Sequence, residues 1–200
     1  MHPQARHFTE FVKRSLPSYF LNKKVLDVGS GDINGNNRFL FEGCEYHGND
    51  VIEGRNVTIV SSTKNLTFDS ESFDTIVSTE CFEHDPEFLQ SINKIYELLK
   101  PGGLFFFTCA GEGRREHGTR RTSPQDSFGT LGKIVEMQDY YKNITNDDFK
   151  AAINLNESFS HWNSYYNYGC KDYYFLGIKK SINQIDITLP IYNAPSVIKY

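Results

Sequence analysis

The sequence predicts a doubly wound α/β domain, a mostly parallel sheet of seven strands with helices on both faces. Three features predict it. Short apolar runs alternate along the chain with segments of helical period. A glycine-rich turn follows the first run directly. One later run, residues 104–108, is apolar at successive positions, which suits a strand covered on both sides.

The elements follow in order. Phe8, Phe11, Val12 and Leu16 recur about one helical turn apart, so residues 4–16 read as an amphipathic helix stopped by Pro17. Residues 25–28 form the first strand and end in Gly29-Ser30-Gly31; a polar helix start follows, then Phe39-Leu40-Phe41. Residues 46–50 and 56–60 read as the next two strands, and 73–78 as the fourth. The best-written helix comes next. Asp85 caps it, Pro86 suits its first turn, and Phe88, Leu89, Ile92, Ile95, Tyr96 and Leu99 make one apolar stripe. Lys100 complements the helix dipole, and Pro101-Gly102-Gly103 ends the helix before the fifth strand, 104–108. Residues 111–130 are polar and without period, a loop or lid of the kind that carries function. Residues 147–153 predict a short helix, and 158–168 with 172–179 a closing strand pair. One domain, 1–180, is expected, with 181–200 as a tail or edge element.

Composition narrows the function. Apolar residues make up 38% and charged residues 23%, the balance of a folded globular chain. A net charge of −4 argues against a partner bound through its phosphates, so no nucleic acid is expected. Cys44, Cys81, Cys109 and Cys170 are scattered, with no C-x-x-C pair, which predicts a reducing cytoplasm and no zinc framework. No metal site is legible from the spacing of the histidines and acids. The first twenty residues lack the apolar core of a signal peptide, and no apolar run is long enough to cross a bilayer, so membrane insertion is not expected.

The chemistry sits in the glycine turn. A strand-to-helix turn of this kind lets the backbone approach a ligand closely. Asp50 ends the next strand, where a carboxylate can accept both hydroxyls of a ribose. Together they indicate an adenosine-containing cofactor at the switch point of the sheet. A dinucleotide fingerprint would place a third glycine where this chain has Asn34.

Four stretches then resemble the class I S-adenosylmethionine-dependent methyltransferases, in the small-molecule branch of that superfamily. They are Val25-Leu26-Asp27-Val28-Gly29-Ser30-Gly31, residues 66–74, Ser78-Thr79-Glu80-Cys81-Phe82-Glu83-His84, and Leu98-Leu99-Lys100-Pro101-Gly102-Gly103, in the expected order. The resemblance implies a single Rossmann-like domain and S-adenosyl-L-methionine as cofactor. It implies Asp27 near the methionine amino group, backbone contacts from Gly29, Ser30 and Gly31, and Asp50 with Val51 at the ribose. Thr79 and Glu80 follow the fourth strand beside the cofactor. Ser62 and Thr63 stand where many relatives have an aspartate against the adenine amino group, and Ile33 where relatives often have glycine.

Methyl transfer to a hydroxyl gains from a base titrating near neutrality, which makes His84 and His117 the catalytic candidates. His84 can equally pack against the start of the Asp85 helix, and His117 can be a solvated loop residue. The loop 111–121 carries two arginine pairs. Glu112, Arg114 and Arg115 are the candidate substrate contacts, suited to a small-molecule acceptor with an anionic group. The same loop, Tyr140-Tyr141 and residues 172–178 resemble methyltransferases of bacterial surface-polysaccharide (capsule) synthesis. That implies O-methylation of a sugar, nucleotide-sugar or phosphorylated precursor. The alternatives are another small metabolite, with a nitrogen acceptor or a lipid or quinone precursor, and a non-catalytic cofactor-binding module.

Overall fold

A computed structural model describes residues 1–183 and 187–200. Helix α1 (Pro3–Ser15) leads into strands β1 (Lys24–Val28), β2 (Glu45–Asp50), β3 (Ile59–Val60) and β4 (Phe73–Thr79). Helix α2 (Phe88–Leu98) and strand β5 (Leu99–Ala110) follow. Short helices α3 (Phe128–Leu131), α4 (Asn146–Ala152) and α5 (Leu155–Ser158) precede strands β6 (Phe159–Asn167), β7 (Asp172–Lys179) and β8 (Val197–Lys199).

The strands form one sheet in the order β3-β2-β1-β4-β5-β7-β6-β8. The first five pair in parallel, and β7, β6 and β8 run antiparallel to their neighbours. Among the described residues the sheet therefore has eight strands rather than the expected seven. The extra one is β8, whose Val197 to Lys199 pair with Asn167 to Tyr165 at the edge of β6. It lies in the 181–200 stretch, of which residues 184–186 fall outside the described residues.

Strand β5 shows why both faces need covering. Phe105, Phe107 and Cys109 point to a core with Ile92 and Ile95 of α2 and Phe149 of α4. Leu104 and Phe106 point the other way, to Phe8, Val12 and Leu16 at α1. Successive side chains on a strand alternate, so an unbroken aromatic run feeds two cores at once.

Three expected elements differ. No α-helix follows the glycine turn; a single 3₁₀ turn, Arg38–Leu40, takes its place. The Asp32 carboxylate accepts from the Gly35 amide at 2.8 Å, from Asn36 Nδ2 at 2.8 Å and from Arg55 Nε at 2.8 Å. Such side-chain bonds compete with helical ones, and Gly35 adopts φ +117. The third strand shrinks from 56–60 to Ile59–Val60, because Asn56 turns left-handed (φ 72) and gives its amide to the Ser30 carbonyl at 2.9 Å. Helix α2 starts at Phe88, beyond Asp85 and Pro86, while Asp85 still accepts from the Glu87 amide at 2.8 Å.

Strands leave β1 toward β2 on one side and toward β4 on the other, so a crevice opens at the carboxyl ends of β1 and β4. No described helix is long and apolar enough to cross a membrane.

Candidate active site

The crevice has two joined parts. The larger, of about 650 Å³, is lined by Asp27, Gly29, Ser30, Gly31, Thr79 and Glu80, with His84 and His117 further along the wall. The smaller, of about 460 Å³, is lined by Ser62 and Thr63 with Pro86, Ile134 and Met137. Gly29, Asp50, Cys81 and Met137 border both. One elongated ligand with a polar and an apolar end can therefore lie across them.

The glycine turn is shaped by contact. Gly29 has φ +71, and a Cβ there would lie 2.4 Å from Cys81 Cβ and Sγ. Only glycine tolerates both. Asp50 accepts from the Gly31 amide at 2.9 Å and from the Val51 amide at 2.8 Å. Burial outweighs these bonds and raises its carboxyl to about 6. Val51 serves through that amide and lines neither part of the crevice.

Asp27 is fully buried at the end of β1. It accepts from Asn37 Nδ2 at 2.9 Å and from the Tyr46 hydroxyl. Burial again dominates and lifts it to about 6. Asn37 is 1% exposed and also donates to Thr79 Oγ1 at 3.1 Å, while its Oδ1 has no partner among the described residues. A buried amide oxygen facing a polar crevice in this way calls for a donor from a ligand. Nothing in Asn34-Gly35-Asn36-Asn37 marked Asn37 in advance; it reaches Asp27 only because the expected helix is absent. In the smaller part, Thr63 Oγ1 donates to Asn49 Oδ1 at 3.2 Å.

Glu80 lines the crevice and is tied into the protein behind it. It has φ +54 and accepts from Thr108 Oγ1 at 2.9 Å. His2 Nε2 lies 3.2 Å from Glu80 and 2.8 Å from Asp172, and Arg114 Nη1 lies 2.7 Å from Asp172. Burial opposes the charge on Glu80, but the His2 contact and Thr108 hold it down at about 2. Burial likewise opposes the charge on His2, and the two carboxylates raise it to about 10. Neither His2 nor Asp172 was foreseen, since residues so distant in sequence meet only through the sheet order.

The two candidate histidines meet. Their rings lie edge to face with centroids 4.9 Å apart, and Tyr141 packs on both. His84 is 6% exposed, and burial, then the neighbouring His117, lower it to about 3, so it is neutral. His117 shares a hydrogen on Nδ1 with the Arg115 carbonyl at 3.1 Å. A carbonyl only accepts, so Nδ1 carries a proton, and it is Nε2 that holds the lone pair whenever the ring is neutral.

The arginine loop divides. Arg114 lines the crevice but is committed to Asp172 and, at 2.6 Å, to the Cys170 carbonyl. Arg115 is exposed on the crevice rim and makes no ion pair among the described residues. Glu112 is exposed, lines neither part, and is held by the Tyr166 hydroxyl on its carbonyl at 2.6 Å. Arg120 and Arg121 pair with Asp139 and Glu116.

Comparison with known proteins agrees with this geometry. The profile of the methyltransferase domain family matches residues 26–107. Phosphoethanolamine N-methyltransferase 2 of Caenorhabditis elegans is 36% identical over 53 residues, 26% of this chain and 12% of that protein. Malonyl-[acyl-carrier protein] O-methyltransferase of Calditerrivibrio nitroreducens is 29% identical over 168 residues, 74% of this chain and 63% of that one. The chain thus spans less than two thirds of either relative. The fold also superposes on Burkholderia thailandensis 1,6-didemethyltoxoflavin-N1-methyltransferase, solved with 1,6-didemethyltoxoflavin and S-adenosylhomocysteine. Its TM-score is 0.60 at 15% identity, covering 90% of this chain and 79% of that one. Residues 26–107 thus match the methyltransferase domain family, and the sheet that carries them has the fold of the methyltransferase on which it superposes.

Proposed function

We propose that the chain binds S-adenosyl-L-methionine across the two-part crevice and methylates an oxygen of a small anionic acceptor. The acceptor is a sugar, nucleotide-sugar or phosphorylated precursor of surface polysaccharide. The observation that carries the cofactor reading is the unpartnered Asn37 Oδ1 beside Asp27 and the glycine turn. An ammonium donor fits there. Asp50 stands where both ribose hydroxyls can donate to it, and the Ile134, Met137 and Pro86 side suits a flat heterocycle, with Ser62 and Thr63 at its edge. When bound, the cofactor supplies an electrophilic methyl group on a sulfonium.

The protein's share is placement and proton control. Aligning donor and acceptor accounts for about 7–11 kcal/mol of barrier in well-oriented systems. His117 Nε2 takes the acceptor proton, because its other nitrogen is tied to the Arg115 carbonyl. His84, neutral and buried, holds the wall against which His117 packs. Arg115 on the rim offers a planar fork to a phosphate or carboxylate of the acceptor. The polysaccharide setting rests on the resemblance of residues 111–121, 140–141 and 172–178 to enzymes of that process. Four free cysteines suit a reducing, cytoplasmic setting.

The relatives include N-methyltransferases. A nitrogen acceptor needs no base, so retained turnover in the His117→Gln enzyme would favour it. The first test is calorimetry. S-adenosylmethionine should bind the native chain with micromolar affinity, and Asp50→Ala should weaken it at least tenfold with the fold retained. No binding by either protein would refute the cofactor assignment.

A further inference from the structure

We infer that Glu83, His84 and His117 form a binding site for a divalent transition-metal ion, zinc or a close analogue, in the wall of the crevice. This does not rest on methyl transfer, although a bound ion would occupy the His117 nitrogen assigned above to the base. Glu83 and His84 lie on the 3₁₀ turn Phe82–His84 that follows β4, and His117 lies in the loop after β5. One donor atom from each falls within 4.8 Å of the others.

Burial makes the juxtaposition informative. Glu83 is completely buried, and neither carboxylate oxygen makes a well-formed hydrogen bond among the described residues, its own amide and that of Ala110 being only loosely placed toward it. Both ring nitrogens of His84 are likewise buried and unpartnered. Folded proteins rarely leave one such group unsatisfied, and two side by side point to a missing ligand. The nearby cations are already engaged. His2 lies between Glu80 and Asp172, and Arg114 pairs with Asp172. Among the described residues only His117 Nε2 approaches Glu83 as an ion-pair partner, at 3.8 Å, too far for a hydrogen bond.

The donor chemistry selects the ion. Two imidazoles and one carboxylate suit zinc, cobalt or ferrous iron, whereas magnesium and calcium prefer oxygen alone. The Nδ1 bond from His117 to the Arg115 carbonyl is the outer-shell bond that metal-binding histidines usually make, and it aims the Nε2 lone pair at Glu83. Donors around a zinc ion, each about 2.0–2.2 Å from it, sit roughly 3.3 Å apart. Closing from the present spacing takes small side-chain rotations. Gly118 keeps the loop tight: with φ +71, its added Cβ would lie 2.6 Å from His84 Cε1. His84 and His117 line the crevice and Glu83 lies behind them, so a fourth position faces the acceptor. The other close group, His2, Cys170 and Asp172, differs because Asp172 already accepts from Arg114, Cys170 and Tyr174.

The ion and the base are exclusive uses of His117 Nε2, and metal binding itself decides between them. The full chain, stripped with chelator, is titrated with cobalt(II) and then zinc. One equivalent of cobalt should develop the visible bands of a four- or five-coordinate ion, and zinc should displace it. Glu83→Gln and His117→Gln should each weaken binding at least tenfold. Arg115→Ala, which keeps the carbonyl, should not. His117 is partly exposed, so its variant folds whether or not the Glu83 variant does; circular dichroism checks both. No stoichiometric binding, or binding unchanged in the His117 variant, overturns the site and leaves the calorimetric cofactor test standing.

Discussion

Asp50 and Asp27 put a pH dependence into the crevice. Both carboxyls are raised to about 6 by burial, above the value of about 3.9 for an exposed aspartate. In the proposed binding mode a ribose hydroxyl donates to ionised Asp50, so cofactor affinity should be level above pH 7 and fall as pH drops through 6. Stability without cofactor moves the other way. The folded state takes up the Asp50 proton before the unfolded chain does, so that residue's contribution becomes more favourable between pH 6 and 4. The melting-temperature advantage of Asp50→Asn over the native chain should therefore shrink as pH falls from 7.5 to 5. Calorimetry and thermal melts over that range measure both; an affinity level from pH 7.5 to 5 would rule out ionised Asp50 as the ribose acceptor. Asp27, Gly29, Gly31 and Asp50 were legible in the sequence because each answers a local demand, a turn or a strand end. Asn37 and the partner-rich surroundings of Glu80 were not, since their contacts come from segments far apart in the chain.

At the scale of elements, strands and helices that bury a periodic face were legible: α1, β1, β2, β4, β6 and β7 lie close to their expected bounds, while α2 ends at Leu98 and β5 takes in Leu99 and the Pro101-Gly102-Gly103 expected to separate them. The missing helix and the shortened third strand share a cause. Between Asp32 and Asn56, side chains bond to backbone and to each other, and the helix and the third strand give way to turns. That irregular stretch is fixed from outside by α3. A Cβ on Gly31 would lie 2.3 Å from the Phe128 ring and one on Gly54 2.5 Å from it, so the ring fills the space that both glycines leave. Gly54 itself does not line the crevice, whereas Phe128 does. Gly54→Ala should displace the ring and weaken cofactor binding several-fold. In a Phe128→Ala background the same change should have little further effect, because the two residues act through one contact. Isothermal titration of the four proteins measures the coupling; strictly additive losses would show that Phe128 does not transmit the effect.

Across the whole molecule, the two cores are not equivalent with respect to the site. Phe8 of α1 stacks on Tyr174 with centroids 4.7 Å apart and meets Tyr192 edge-on at 5.2 Å. Phe149 of α4 packs on the opposite face, against Phe175 at 4.6 Å and Phe107 at 5.1 Å. Both rings are fully buried, and truncating either to alanine should cost about 3–5 kcal/mol. Their effect on the crevice should differ. Helix α1 carries His2 at its N-cap, and His2 both lines the crevice and sits between Glu80 and Asp172, at the ends of β4 and β7. Loosening α1 therefore loosens the wall. A ligand at about 100 times its Kd stabilises a folded protein by about 2.7 kcal/mol, so a weaker site shows as a smaller ligand-induced shift at fixed concentration. Denaturant unfolding with and without S-adenosylhomocysteine should give Phe149→Ala the native shift and Phe8→Ala a reduced one. Equal shifts would mean that α1 supports the sheet without reaching the site, and that the His2 contacts form independently of how tightly the helix is packed.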